Sequence, residues 1–434
     1  MPRIDASLTA ADFASRLKAL HVGPRIAVAF SGGSDSLALL VLAAQWAMKS
    51  KTRFVIAYTV DHGLRQEAAA EARQCAKIAK SLGVTHRTVR WKGDKPLSGI
   101  QAAARDARYA LLTEACARDN IQCLLTAHHL DDQAETFILR LARGSGVDGL
   151  AAMSDTRQLG RNVRLLRPLL NVSRESLRAI VARAGLTPIE DPSNDNLRFD
   201  RVKARRLMAD LAALGLTAER LAATTSNMAR ARHALEDATQ RLLFASSALH
   251  EAGTIDTDAE ALLDAPDDIG LRALAEILKS VGGTDYAPRL EALTAVYDAL
   301  YTGALAKART LNGCRLVLTR GRLIAMRETS AALSAQPVTL SPNATALWDG
   351  RFTVALGPGA KSKTAYEVRA LGPEGLKTIR ECKLTEPQIP KSALPTLPAL
   401  WQGKRLVAAP HVAFQDGPVR FSAVFAPRGA FAFP

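Results

Sequence analysis

No stretch of this chain stays apolar long enough to cross a bilayer. The longest run, residues 37–44, stops at Gln45, well short of the roughly 20 residues a spanning helix needs. The first residues carry Asp5 and Asp12 without a basic-then-apolar pattern, so neither secretion nor membrane insertion is expected, and the expected location is the cytoplasm. Cysteine is scarce and unpaired. Cys75, Cys116, Cys123, Cys314 and Cys382 include no CxxC, which removes the usual zinc-ribbon and iron–sulfur spacings. An odd count suits a reducing compartment. Aromatic residues are 5% of the chain, too few for a large base-stacking platform. Acidic residues are outnumbered as well: 42 Asp and Glu face 57 Lys and Arg, a net charge of +15 with a pI near 9.9. That balance points to a polyanionic partner, nucleic acid first. No internal repeat of about 20–50 residues is present.

What is present is a chain of 434 residues, 48% hydrophobic, with a mean hydropathy close to zero. At about 100–200 residues per domain it predicts two to four cores that need no disulfides. Strand-like and helix-like segments alternate through the first half. Residues 25–30 (RIAVAF), 54–60 (FVIAYTV), 84–91 (VTHRTVRW) and 123–127 (CLLTA) read as strands. Residues 36–49, 65–82, 101–119 and 131–143 read as the helices that follow them. Such βα units predict a doubly wound, Rossmann-like parallel sheet. Residues 157–200 read as a basic connector containing one helix, with Ser173 as its N-cap. Helices rich in Ala, Leu and Arg follow at 201–214, 217–251, 267–280 and 288–301, then a hairpin at 315–327 turning on Arg320-Gly321. Residues 328–343 read as a linker, and the Pro- and Gly-rich tail as a small mixed or β-rich domain. From residue 361 onward it carries 11 Lys and Arg against 5 Asp and Glu. The expected organisation is a catalytic α/β domain over 1–215, a mainly helical domain over 216–335 and a C-terminal domain over 336–434.

The chemistry concentrates in Ser31-Gly32-Gly33-Ser34-Asp35-Ser36, between a strand and a helix. Glycines let the backbone approach a ligand, and N–H groups at a helix start converge on an anion. Ser31, Ser34 and Ser36 add hydroxyls. Asp35 opposes a bare phosphate, so it is expected to meet a metal or to order the loop, with Mg2+ the natural bridge to phosphate oxygens. The segment is neither GxxxxGK[ST] nor GxGxxG, which disfavours P-loop and dinucleotide-binding readings. Further along, Arg105 and Arg108 share a helix face and offer two guanidiniums to phosphate, or else form a solvated face. Residues 126–136 (TAHHLDDQAET) bring His, Asp and Glu to a strand end, where they could bind Mg2+ or orient a nucleotide.

SGGSDS resembles the loop of the PP-loop ATP pyrophosphatases. Residues 59–65 (TVDHGLR), 101–109 (QAAARDARY), 126–136, 143–150 (RGSGVDGL), 167–170 (RPLL) and Asp191-Pro192-Ser193-Asn194 narrow this to the tRNA(Ile)-lysidine synthetases. The resemblance covers roughly residues 25–210, and beyond about 215 it rests on domain order. It implies ATP-dependent attachment of free lysine to C2 of the wobble cytidine in the CAU anticodon of tRNA(Ile), through an adenylated cytidine. It puts ATP contacts on Ser31, Gly32, Gly33, Ser34, Asp35 and Ser36, and makes Asp132 the second acidic residue, with Asp35 and Asp132 facing Mg2+. Arg201 and Arg205 match the arginines that follow DPSN, which completes a catalytic set of Asp35, Asp132, Arg201 and Arg205. Val202 departs from the family's usual Asn. The implied partners are tRNA(Ile) and lysine, with no membrane; the oligomeric state stays open, a dimer among the options. Rival readings are a tRNA thiolase, which usually needs paired cysteines, a small-molecule ligase, and a non-catalytic RNA-binding module.

Overall fold

The computed structural model describes residues 8–63, 67–93, 100–160, 162–189, 200–357, 365–382 and 389–431. Leu64 and Arg65 of the second motif and the whole of Asp191-Pro192-Ser193-Asn194 lie outside the described residues. The chain divides into two compact units, Met1–Arg232 and His233–Pro434.

The first unit opens with α1 (Ala10–Ala19) and continues as β1 (Arg25–Ala29), α2 (Ser34–Met48), β2 (Phe54–Asp61), α3 (Ala68–Ser81), β3 (Thr85–Arg90), α4 (Ile100–Arg118) and β4 (Cys123–Leu125). It goes on through α5 (Leu130–Leu141), α6 (Val147–Leu150), β5 (Thr156–Leu159), β6 (Val163–Leu166), α7 (Arg174–Arg183) and α8 (Asp200–Ala213). Six strands form one sheet in the order β3-β2-β1-β4-β6-β5, parallel except for β5 at the edge. Strand side chains alternate between faces. Ile26 and Val28 therefore pack with Phe13, Leu39, Ala79 and Leu177 of α1, α2, α3 and α7. Ala27 and Ala29 pack with Leu112 and Cys116 of α4 on the other face. A strand covered on both sides reads as a continuous apolar run, which is why β1 and β2 are visible in the sequence.

The expected connector at 157–200 instead contributes a hairpin, β5 and β6, and β6 pairs in parallel with β4 at Leu124↔Leu165. These four-residue strands carry polar residues such as Gln158 and Arg164, too weak a pattern to read. The α7 helix starts as expected, with the Ser173 hydroxyl accepting from the Ser176 N–H.

The unit boundary falls inside α9 (Ala218–Ser246). The second unit then has β7 (Ser247–Leu249), β8 (Ile255–Asp258), α10 (Ala259–Asp264), α11 (Asp267–Gly282), α12 (Leu290–Tyr301), β9 (Arg309–Leu311), β10 (Cys314–Thr319) and β11 (Arg322–Arg327). The expected hairpin is β10–β11, closed at Thr319↔Arg322 by Arg320 and Gly321, both at positive φ as a tight hairpin turn requires. This helical region also holds an antiparallel sheet of order β7-β8-β11-β10-β9, on which α11 and α12 pack through Leu274, Ile277, Val281 and Val296.

The expected linker at 328–343 is folded. It forms α13 (Thr329–Leu333) and β12 (Val338–Leu340), and Ala332 and Leu340 are buried in the core that follows. Small residues here pack instead of marking a boundary. Next come β13 (Thr345–Trp348), β14 (Phe352–Leu356), β15 (Tyr366–Ala370) and α14 (Gly372–Glu381). The unit ends with β16 (Pro398–Gln402), β17 (Arg405–Ala409), β18 (Phe414–Gln415) and β19 (Phe421–Phe425). Two sheets result, β12-β15-β16-β17-β18 and β13-β14-β19, around Trp348, Phe352, Val354, Val368 and Leu400.

Candidate active site

Strand order reverses between β1 and β4, and the crevice beyond their carboxyl ends is where open α/β sheets bind ligands. Ser31-Gly32-Gly33-Ser34-Asp35-Ser36 leaves β1 there and enters α2, whose N-cap is Gly33 with no side chain capping it. The first N–H groups of a long helix are thus left to a ligand. The loop is braced from within. The Ser31 N–H donates to Ser36 Oγ at 3.2 Å, and the Ser36 hydroxyl donates to the Gly33 carbonyl at 3.0 Å. Gly32 sits at φ +86°, and a Cβ there would meet Ile189 Cδ1 at 2.5 Å and Cys75 Sγ at 3.0 Å. The Ile189 N–H also donates to the Gly32 carbonyl at 3.0 Å, so the loop has a fixed floor.

Beyond β4, His129 opens α5 and is 3% exposed. Its Nε2 lies 3.4 Å from Asp35 Oδ2 and 3.6 Å from Asp132 Oδ2, and its Nδ1 lies 3.3 Å from Asp131 Oδ2. The last approach is close in distance but not aligned as a full hydrogen bond. Burial opposes charge on this ring, but the surrounding Asp131, Asp35 and Asp132 carboxylates outweigh it and raise the pKa to about 10. Burial likewise pushes the Asp35 carboxyl up, and the facing His129, with Arg174 and Arg205 beyond, brings it below the usual value. The structure therefore brings Asp35 and Asp132 to one imidazole nitrogen. Asp35 Oδ1 is buried without a hydrogen-bond partner. Two carboxylates, one with a spare buried acceptor, suit Mg2+, which takes its remaining ligands from phosphate and water. Among the described residues, no group of three or more His, Cys, Asp or Glu is arranged to hold a metal by itself.

His128, the neighbouring residue, is in the opposite environment. Burial and then Arg167, Arg201, Arg108 and Arg105 drive its pKa down to about 2, so the ring is neutral. Its Nδ1 lies 3.0 Å from Thr126 Oγ1. Arg105 and Arg157 stack on Tyr109, their guanidinium carbons 5.6 and 5.9 Å from the ring centre. A cationic wall thus faces His128, built from α4, the end of β6 and α8, with Arg157 of β5 beside Arg167.

Arg201 belongs to that wall, whereas Arg205, one turn on in α8, does not. Arg205 Nε donates to Glu135 Oε1 at 2.8 Å, and Glu135 is 2% exposed. Burial lowers the Arg205 pKa, but Glu135, Asp132 and Asp35 outweigh it and the pKa rises. A pocket of about 330 Å³ lies beside this pair, lined by Asp131, Glu135, Arg174, Arg205, Met208 and Glu219 among others. Sequence reasoning gave no individual role to His128, His129, Glu135, Arg167 or Arg174. Both histidines and Glu135 were in the motif at 126–136, but their separate duties depend on how the chain turns into α5 at His128 and His129 and on the face of α5 that Glu135 occupies.

The family model described as a PP-loop domain matches residues 9–211. A tRNA(Ile)-lysidine synthase from Ruegeria pomeroyi is 40% identical over 394 residues, covering 91% of this chain and 90% of that protein. Another, from Rhodopseudomonas palustris, is 44% identical over 315 residues, covering 69% of this chain and 90% of that protein. Among solved structures, a U34-tRNA thiolase from Methanococcus maripaludis with its 4Fe-4S cluster has a TM-score of 0.45 at 17% identity, covering 51% of this chain and 76% of that one. By the extent and identity of these matches, the chain belongs to the tRNA(Ile)-lysidine synthase family of PP-loop enzymes.

Proposed function

We propose that this protein uses ATP and Mg2+ to adenylate the C2 oxygen of the wobble cytidine in a CAU-anticodon isoleucine tRNA, and then replaces AMP with the ε-amine of free lysine. The observation that carries this reading is the meeting of the loop at 31–36, the His129 carboxylate cluster and the cationic wall around His128 at one crevice. Adenylation needs positioning and charge neutralisation more than covalent help from the protein. The uncapped start of α2 and the loop serines receive the pyrophosphate end of ATP. Asp35 and Asp132 would hold Mg2+, which would neutralise charge on the phosphate oxygens. Arg105, Arg108 and Arg201 offer guanidiniums to phosphate.

The pocket beside Arg205 has the charge pattern of an amino acid zwitterion. Arg174 and Arg205 suit a carboxylate, while Asp131, Glu135 and Glu219 suit ammonium groups. The attacking amine must lose a proton, since a free lysine pKa is roughly 10.4; Asp35 or Asp132 would accept it. Residues 1–215 form the catalytic domain in this reading, with 216–335 and 336–434 as tRNA-binding domains, in a cytoplasmic enzyme. The excess of 57 basic over 42 acidic residues supports the RNA partner.

The test is incubation of the full-length protein with ATP, Mg2+, labelled lysine and isoleucine tRNA bearing CAU, with methionine tRNA bearing CAU as control. Label is expected in the isoleucine tRNA alone. Sulfur transfer without lysine incorporation would indicate a thiolase instead. Asp35→Ala is expected to abolish AMP release while the melting profile stays cooperative.

A further inference from the structure

We propose that Arg167 is a further phosphate-binding residue of this crevice, and that Gln133, on a separate element, is the positioning residue that holds it there. The proposal rests on the function argued above and extends it to Arg167, which that function used only as part of the wall, and to Gln133, which it did not use.

Arg167 follows β6 and is 5% exposed. Its Nη1 donates to the Ser154 carbonyl at 2.6 Å, and its backbone N–H donates to the Asp155 carbonyl at 2.8 Å. Its Nε is buried with no hydrogen-bond partner. A buried guanidinium ordinarily faces a carboxylate, because an uncompensated charge in the interior is costly. Instead, Arg105 and Arg157 lie near Arg167, and Arg105, Arg108 and Arg201 surround the same neutral His128. No ion pair is present for any of these five arginines among the described residues. Cations gathered with no anion of the protein's own form a site completed by an anionic ligand. The planar fork of arginine matches a phosphate group. That phosphate comes from one of two sources, the ATP tail or the RNA backbone.

Arg167 depends on residues 153–155 for its place, and Gln133 holds that segment. From α5, the Gln133 side chain donates to the Met153 carbonyl at 2.8 Å and accepts from the Met153 N–H at 2.9 Å. This two-sided grip mimics a strand partner for an irregular segment. It follows directly on Ala152, which is buried at φ +50°, a left-handed conformation that alanine avoids. Without the grip, the chain would relax and carry the Ser154 carbonyl away from Arg167.

Arg167→Met, Gln133→Leu and the double variant would be compared with unsubstituted full-length protein. ATP affinity would be read by equilibrium dialysis, tRNA affinity by filter retention, and lysine incorporation alongside. Each single substitution is expected to weaken one of the two affinities by roughly 10- to 100-fold. The double variant is expected to lose no more than Arg167→Met alone, because Gln133 acts through Arg167. Loss confined to ATP identifies the triphosphate as the source, and loss confined to tRNA identifies the RNA backbone. Unchanged affinity for both ligands in Arg167→Met, or additive losses in the double variant, would overturn the proposal. Should Gln133→Leu not fold, Gln133→Glu replaces it, keeping an acceptor for the Met153 N–H but no donor for the Met153 carbonyl. Should Arg167→Met not fold, Arg167→Lys keeps the charge without the fork and is expected to show the same loss in smaller degree. A failure of the broader function would appear separately, as absence of lysine transfer by the unsubstituted protein.

Discussion

His128 and His129 are adjacent and oppositely biased by their surroundings. Asp35, Asp131 and Asp132 hold His129 charged with a pKa of about 10, whereas burial and four arginines hold His128 neutral with a pKa of about 2. A histidine kept neutral in the fold takes up a proton in the unfolded chain near its ordinary value of about 6.5, so its contribution to stability is present above that pH and lost below it. For His129 the direction is reversed: its contribution is present below about 6.5 and lost as pH rises through about 10. Chemical unfolding at pH 7 and pH 5 would compare the wild type with His128→Gln. The wild type is expected to lose stability relative to the variant on acidification, by up to about 1.4 kcal/mol per pH unit. A gap that does not change with pH would contradict the neutral assignment. Gly32 offers a second residue-scale prediction. Alanine there would strain the backbone at φ +86° and drive its Cβ into Ile189. Gly32→Ala is expected to weaken ATP binding at least tenfold and to cost about 1–2 kcal/mol of stability, read by dialysis and thermal melting.

At the scale of elements, α5 organises the crevice because its successive residues face different partners. His129 and Asp132 turn to the loop, Asp131 accepts from the first N–H of α7 at Arg174, Gln133 grips Met153, and Glu135 meets α8 through Arg205. The Glu135–Arg205 pair is the main ionic tie between α5 and α8. Glu135 is buried and Arg205 partly exposed. Arg205→Ala is therefore expected to cost roughly 1–3 kcal/mol, below the value for a fully buried pair. Glu135→Gln, which leaves no buried carboxylate orphaned and strands only the partly exposed Arg205, is expected to cost less, as the ordering of their melting temperatures would show. The elements themselves were largely legible. The strands at 25–30 and 54–60 and the cap at Ser173 appear where patterning put them, since burial on both faces and a side-chain hydroxyl are local signals. The hairpin of β5 and β6 was not legible. Its short, half-polar strands are specified by the partner β4, not by their own composition.

Within the whole molecule, the second unit is more tightly joined than a linker near residue 335 suggested. Asp349, after β13, accepts from Arg351 Nε at 2.8 Å and from Arg327 Nη2, at the end of β11, at 2.7 Å. Arg351 is 0% exposed. The chain end returns to α11, where the Ala430 N–H donates to Glu276 Oε2 at 2.9 Å and Phe431 joins the α11–α12 core. Deleting residues after 340 would strand Arg327 and open that core. The truncated protein is expected to lose cooperative unfolding of this unit and to be cleaved rapidly by protease within 233–340. A truncated chain that melts as sharply as the full-length protein would show the two parts to be independent. RNA binding by a chain of net charge +15 should also be salt-sensitive. Between about 50 and 200 mM salt the KM for tRNA is expected to rise at least tenfold, with little change in the KM for ATP.

Local chemistry was enough to locate the glycine loop between β1 and α2, the parallel sheet and the family resemblance. A glycine turn after an apolar strand, and motifs whose residues are neighbours in the chain, carry their meaning within a few positions. The division of labour among those motifs came only with packing. Whether a histidine is charged, whether an arginine faces a carboxylate or other arginines, and whether a small-residue stretch is a linker or a core all depend on groups tens of residues away in the chain, brought near by folding. Electrostatics and burial act through space, and a linear sequence records order along the chain but not proximity.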